Sequence, residues 1–88
     1  MRKGVTFKNR DRFTDLGITI GYIRRLRGLS QEQLAERAGI SRTHLSVIEA
    51  PNMMAAFSMD VYFNIADALE IDPGELLSMK IPGKKDES

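Results

Sequence analysis

The 88-residue sequence contains no cysteine and a single histidine, His44. The absence of cysteine rules out a disulfide framework and a Cys-based zinc site, and His44 has no second histidine with which to hold a metal. The longest uninterrupted apolar run, residues 53–57, is far below the roughly 18 residues that suggest a membrane span. No signal-peptide pattern opens the chain. We therefore expect a soluble, cytoplasmic protein with no cofactor and no membrane association.

Sequence patterns of enzymes are also missing. Nothing resembles a glycine-rich phosphate loop, a metal cluster or paired acids, and no serine or acid stands at a spacing from His44 that suggests a catalytic triad. A chain of this length forms one domain, which buries only about 60 to 65% of its unfolded surface. A partner subunit would add stability. We expect a protein without enzymatic activity.

Charge is distributed unevenly along the chain, although its net value is only +1. Residues 1–12 and 24–42 are predominantly basic, whereas residues 43–79 contain no lysine or arginine and six acidic residues. One half of the chain would therefore attract a polyanion while the other would repel it. The alternative is ordinary solvated charge on a small helical domain.

Helix-end signals and apolar spacing predict two helices in the first half of the folded region. In the first helix, one face is formed by residues spaced four, three and four positions apart: Leu16, Ile20, Ile23 and Arg27. Gly28 ends this helix. Ser30 and Gln33 form a capping box at the start of the second helix, and Gly39 is suited to the left-handed conformation that ends it.

Three further helices are predicted, and no convincing sheet. Ser41 is the natural N-cap of the third helix, which ends before Pro51; the fourth begins after Ser58, and Asp72 and Pro73 open the fifth. The residues expected to face inward in the third and fifth helices are Leu45, Ile48, Leu76 and Leu77. We assign a basic tail to residues 1–14, one folded domain to residues 15–79 and a second tail to residues 80–88.

The corner between the second and third helices has the residues that such a turn requires. Ala35 is small enough for the third helix to cross closely, and Gly39 makes the turn. The outer side of the third helix is small and polar, with Arg42 and His44 at its leading end; the others are Thr43, Ser46, Val47 and Ala50. This composition suits a helix that enters the DNA major groove, although any helical hairpin exposes some polar surface.

These residues also carry a resemblance. The segment LGITIGYIRRLRGLSQEQLAERAGISRTHLSVIE resembles the Xre family of lambda-repressor-like helix-turn-helix proteins, and FNIADALEIDPGELL is similar to the fourth and fifth helices of that family. The resemblance spans roughly residues 15–78. It implies an all-α, compact five-helix domain with the helix-turn-helix at helices two and three. It also implies a transcriptional regulator of the repressor or controller type that binds double-stranded DNA sequence-specifically, as a homodimer, through its third helix.

Site residues follow from the resemblance by position. Gln31 matches a residue that touches phosphate and braces the recognition helix, and Glu49 matches an acid that pairs with an arginine of the first helix, here Arg24. The positions that face bases or flanking phosphates are matched by Arg42, Thr43, Ser46 and Val47. The candidates for contacts with the DNA backbone or rim are Ser41, His44 and Asn52, together with Gln31. A lone carboxylate at Glu49 would be costly beside the apolar face of its helix, so we interpret its pair with Arg24 as structural.

The segment APNMMAAF, residues 50–57, departs from the family, which commonly places a glycine and a basic or polar residue after the glutamate. Met53, Met54 and Phe57 either cover the core or form a dimer or partner surface. The methionines at 53, 54, 59 and 79 are expected mainly as core filler. An alternative function is a protein-interaction module, such as an antitoxin-type protein that binds its partner through residues 51–57. The basic tail is either a DNA-wrapping arm or a solubilising tail.

Overall fold

A computed structural model describes residues 9–50 and 56–79, apart from the side chain of Arg10. This part of the chain contains five α-helices and no strand: α1 (Arg10–Leu26), α2 (Gln31–Ala38), α3 (Arg42–Glu49), α4 (Met59–Leu69) and α5 (Pro73–Ser78). The all-α, five-helix prediction is confirmed. Helix α1 begins at Arg10, inside the segment that the sequence assigns to the basic tail. Arginine is a good helix former, so the charge at residues 10 and 12 is compatible with a helix.

Side-chain caps begin the four helices that follow α1, at the expected positions. The capping residues are Ser30, Ser41, Ser58 and Asp72, whose side-chain oxygens accept hydrogen bonds from the backbone N–H groups of Gln33, His44, Val61 and Glu75. The predicted capping box is complete, since Gln33 Oε1 accepts from the Ser30 N–H at 2.8 Å. Each cap satisfies a donor that has no partner within its own helix, so the helix starts are encoded locally.

The core lies between α2 and α4, with α1, α3 and α5 packed around them. Its largest fully buried side chains are Ile20, Leu34, Leu45, Ile65, Leu69 and Leu76. Two expectations about burial were wrong: Leu77 is 66% exposed and Met59 is 61% exposed. Leu77 follows the buried Leu76 by about 100° around a short helix, so it points to the other side. Met59 is the first residue of α4, at the outer end of the helix.

Tyr62 joins α4 to α5. Its side chain is buried, and its hydroxyl donates a hydrogen bond to the carbonyl oxygen of Pro73, the first residue of α5. Burial, and secondarily the negative charge of Asp72, raise the pKa of the Tyr62 hydroxyl above its ordinary value. A tyrosine hydroxyl is already protonated at neutral pH, and the raised pKa keeps this one available as a donor at still higher pH.

Arg27 joins α1 to α4. Its Nε donates to the carbonyl oxygen of Leu69 at 2.8 Å, and its Nη2 donates to that of Glu70 at 3.3 Å. The guanidinium therefore caps the C-terminal end of α4, where carbonyl groups lack partners within the helix and a positive charge is favourable. Glu70 itself ends α4 in the left-handed conformation, at φ 59°.

The conformation of Glu70 predicts a stabilising substitution. Glu70→Gly removes the steric cost of a Cβ atom at positive φ and a negative charge at the C-terminal end of a helix. We expect the free energy of unfolding to rise by roughly 0.5–1 kcal/mol, measured by chemical denaturation. Glu70→Ala is the control, because it removes the charge and keeps the Cβ atom. Equal stability of the two variants would contradict the conformational explanation.

Candidate nucleic-acid interface

The corner between α2 and α3 is built as the sequence indicates. Gly39 ends α2 at φ 73°, in the left-handed region, and the N–H of Ile40 bonds back to the Ala35 carbonyl oxygen at 3.0 Å. Ala35 is 2% exposed, so its small side chain lies within the contact between the helices. Ser41 then starts α3 immediately. The two helices are consequently fixed at a short, rigid turn.

The outer side of α3 carries most of the residues that the sequence assigns to DNA. Arg42, Thr43 and Ser46 are exposed, whereas Val47 and His44 are half-buried. Ser41 is exposed at the N-terminal rim, and its hydroxyl oxygen accepts from the His44 N–H at 2.9 Å. The structure therefore brings Ser41 to Val47 together on one short helix and its cap. Val47 offers only part of its side chain to a ligand.

Glu49 is the only acidic residue of α3, and its carboxylate is held away from solvent by two other helices. Arg24 of α1 donates from Nε to Glu49 Oε2 at 2.9 Å and from Nη2 to Oε1 at 3.1 Å. The two side chains are 11% and 7% exposed. Gln31 of α2 adds a third bond, from Nε2 to Glu49 Oε1 at 3.0 Å. We name these three residues the Glu49 network; it joins α1, α2 and α3 at one carboxylate.

Arg24 is itself positioned by the backbone. Its Nη1 donates to the carbonyl oxygen of Leu29, in the turn before α2, at 2.8 Å. The guanidinium thus makes a fork with the carboxylate and a further bond to the main chain, which is the geometry in which arginine is strongest as a partner. Among the described residues, no buried side-chain nitrogen or oxygen lacks a hydrogen-bond partner.

Gln31 has a different environment from the one the resemblance implies for a phosphate contact. Its side-chain amide is half-buried and donates to Glu49, so it braces the end of α3 in the structure. As the first residue of α2, Gln31 also places its backbone N–H at a helix N-terminus, which is a favourable position for an anion. Bracing through the side chain and phosphate contact through the backbone are compatible.

Two glycines of α1 are part of this arrangement, and the sequence analysis missed them. A Cβ atom on Gly17 would lie 1.9 Å from the backbone oxygen of Ile48 in α3. A Cβ atom on Gly21 would lie 3.2 Å from Glu49 Oε1. The signal was available: Gly17, Gly21 and Arg24 recur at steps of four and three, so they share one helix face. Two glycines inside a helix, where glycine is unfavourable, indicate a close approach.

The remaining predicted site residues lie elsewhere. Asn52, Met53 and Met54 fall outside the described residues. Phe57 is half-buried and packs edge-to-face on Phe13 of α1, with ring centroids 5.4 Å apart and planes at 82°. In the described ranges, no helix is long and apolar enough to cross a membrane, and no group of His, Cys, Asp or Glu is arranged to hold a metal ion.

Comparison with known proteins agrees with this geometry. A helix-turn-helix family model matches residues 20–76, which include the corner and the Glu49 network. The chain belongs to this family of DNA-binding transcriptional regulators, of the Xre or lambda-repressor type.

Two solved structures have similar folds. The restriction-modification controller protein C.AhdI from Aeromonas hydrophila is 32% identical with a TM-score of 0.67, over 75% of this chain and 96% of that chain. The hypothetical transcription factor NHTF from Neisseria is 25% identical with a TM-score of 0.67, over 88% of this chain and 83% of that chain. Among curated protein sequences, none matches significantly.

The Glu49 network predicts a large effect of a small substitution. Glu49→Gln keeps the shape of the side chain but leaves the mostly buried Arg24 guanidinium without its charge partner. We expect the free energy of unfolding to fall by about 3 kcal/mol in chemical denaturation. Glu36→Gln makes the same change at an exposed position of α2 outside its first turn and should cost less than about 0.5 kcal/mol. Similar losses in both variants would show that the network contributes little.

Proposed function

We propose that the protein binds double-stranded DNA sequence-specifically and regulates transcription as a repressor or controller, with α3 in the major groove. The observation that carries this proposal is the distribution of charged groups on α3. Its one carboxylate, Glu49, is bonded to Arg24 and Gln31, while its exposed outer side presents Arg42, Thr43 and Ser46. A surface of small polar groups with one cation at its leading end is compatible with base edges between two rows of phosphates.

Each residue of this surface has a role in the proposal. Arg42 is suited to bidentate hydrogen bonds with O6 and N7 of a guanine, and the part of the Val47 side chain that is exposed is suited to contact with a thymine methyl. Thr43 and Ser46 supply hydroxyl groups for a base edge or a flanking phosphate. Phosphate contacts near the rim fall to Ser41, His44 and the N-terminal turn of α2 at Gln31, because helix N-termini attract anions.

The protein would act as a homodimer, because a two-fold pair of helix-turn-helix domains matches two half-sites about one helical turn apart. An apolar groove of about 240 Å³ is a suitable contact surface. It is lined by Arg12, Phe13, Leu16, Phe57, Met59, Tyr62 and Leu77. None of these residues belongs to α2 or α3, so a second copy bound there would leave α3 free for DNA. Burial of the exposed Leu77 and Met59 would also add apolar contact to a small domain.

The described part of the loop after α3 belongs to the same groove. Phe57 is already half-buried against Phe13 and contributes to the wall of the groove. The same apolar surface would therefore serve a second copy of this chain. In the proposal the protein has no enzymatic activity, and its partners are double-stranded DNA and its own copy.

Substitution of Arg42 tests base reading. Duplexes selected from a random library, and the DNA upstream of the protein's own gene, serve as probes in anisotropy titrations at several salt concentrations. Arg42→Ala should weaken binding to the selected duplex by about 1–3 kcal/mol and change binding to random duplex little, because only a base contact depends on the DNA sequence. Arg37→Ala is the matched control, since it removes the same charge from an exposed position on α2. An equal loss on both kinds of duplex would make Arg42 a phosphate contact. No preference by the unmodified protein for any duplex would refute the proposed function.

Substitution of Leu77 tests the dimer. Leu77→Glu places a charge in the groove, and we expect at least a tenfold weaker self-association in analytical ultracentrifugation with little change in monomer stability. Leu26→Glu is the control, because Leu26 is equally exposed, at 66%, and lies outside the groove. The same effect from both variants, or from neither, would exclude the groove as the dimer surface.

A further inference from the structure

The backbones of α1 and α3 meet at Gly17. A Cβ atom at this position would lie 1.9 Å from the backbone oxygen of Ile48 and 3.0 Å from its carbonyl carbon. Both are main-chain atoms in the last turn of α3, so no side-chain rotation can make room. A side chain of any size at residue 17 would therefore push α3 away from α1 by roughly 1 Å or more, because protein interiors transmit such strain.

One helical turn further along α1, Gly21 lies against the carboxylate of Glu49. A Cβ atom there would be 3.2 Å from Oε1 and 3.3 Å from Cδ, which are atoms at the end of a side chain and can shift slightly. The next residue on this face is Arg24, which bonds to the same carboxylate. Gly17 sets how closely the backbones approach, and this approach brings Glu49 within reach of Arg24.

We propose that Gly17, which lies outside the helix-turn-helix, is a positioning residue for base reading. It fixes the distance and tilt of α3 relative to α1, and thereby how the outer side of α3 is presented to the major groove of DNA. This inference rests on the proposed function. Contacts with bases require the side chains to lie within about 0.5 Å of their ideal positions, whereas phosphate contacts act over longer distances and tolerate larger displacements. A shift of α3 would consequently reduce discrimination between sequences more than general affinity for DNA.

The test uses the full chain with Gly17→Ala, measured below its melting temperature. We expect affinity for the selected duplex to fall at least about tenfold and affinity for random duplex to fall less than about threefold. Leu76→Val is the control for simple loss of stability, because Leu76 is fully buried in α5 and distant in sequence from α3. It should lower the melting temperature and leave the ratio of the two affinities unchanged.

Two results would overturn the inference. One is an unchanged ratio of the two affinities in Gly17→Ala, whether neither affinity falls or both fall equally. The other is the same change in ratio from Leu76→Val. Should Gly17→Ala fail to fold, Gly21→Ala takes its place: a Cβ atom on the same face of α1, 3.2 Å from Glu49 Oε1, would press less severely on the same end of α3, so we expect a loss of about threefold to tenfold on the selected duplex. An unchanged ratio in that variant would also overturn the inference.

A second measurement separates this inference from the proposed function. Backbone amide chemical shifts of Gly17→Ala, measured by NMR without DNA, should change throughout α3. Changes confined to the neighbours of residue 17 would refute the positioning role, whatever the protein binds. If the unmodified protein prefers no duplex, the proposed function fails, and the amide shifts still decide whether Gly17 positions α3.

Discussion

The carboxylate of Glu49 is the group on which the arrangement of the first three helices depends. A charged side chain with so little exposure is tolerated only when it is paired and hydrogen-bonded. Its partners come from α1 and α2, so the three helices must reach their final positions together for the charge to be compensated. The same bonds hold the one negative charge of α3 away from its outer side. A single set of bonds thus serves both the stability of the corner and the electrostatics of the outer side of α3.

Features set by neighbouring residues were predictable from the sequence. The capping box at Ser30, the left-handed Gly39 and the N-cap at Ser41 each follow from local backbone chemistry, and all three form as expected. The buried faces at Leu45 and Ile48 follow from helical periodicity. The pairing of Arg24 with Glu49 came from the resemblance, supported by the cost of a lone carboxylate near an apolar face. The caps, the turn and the buried faces are the parts where one element and its immediate context contain the necessary information, whereas the Arg24–Glu49 pair joins two helices and needed the resemblance.

Features that depend on how helices cross were harder to predict. Periodicity shows that Leu76 and Leu77 are apolar, but only the position of α5 decides that one is buried and the other exposed. The bonds from Arg27 to the end of α4 require the tertiary arrangement, since nothing local indicates that partner. At Gly17 the sequence gives a glycine, while the distance to Ile48 is a property of the assembled pair of helices. Base-facing roles on α3 stay predictions, because they concern DNA.

Two arginines one turn apart, Arg24 in α1 and Arg27 at its C-cap, bond to partners far along the chain. Arg24 reaches a residue 25 positions away, and Arg27 reaches one 42 positions away. Local contacts form early in folding and with a small loss of chain entropy, whereas contacts between residues so far apart in sequence require the closure of long loops. The attachment of the first helix to α3 and to α4 therefore depends on contacts that close long loops. Through Glu49 the position of α3 is tied to the first helix, and through Arg27 the end of the first helix is tied to the end of α4.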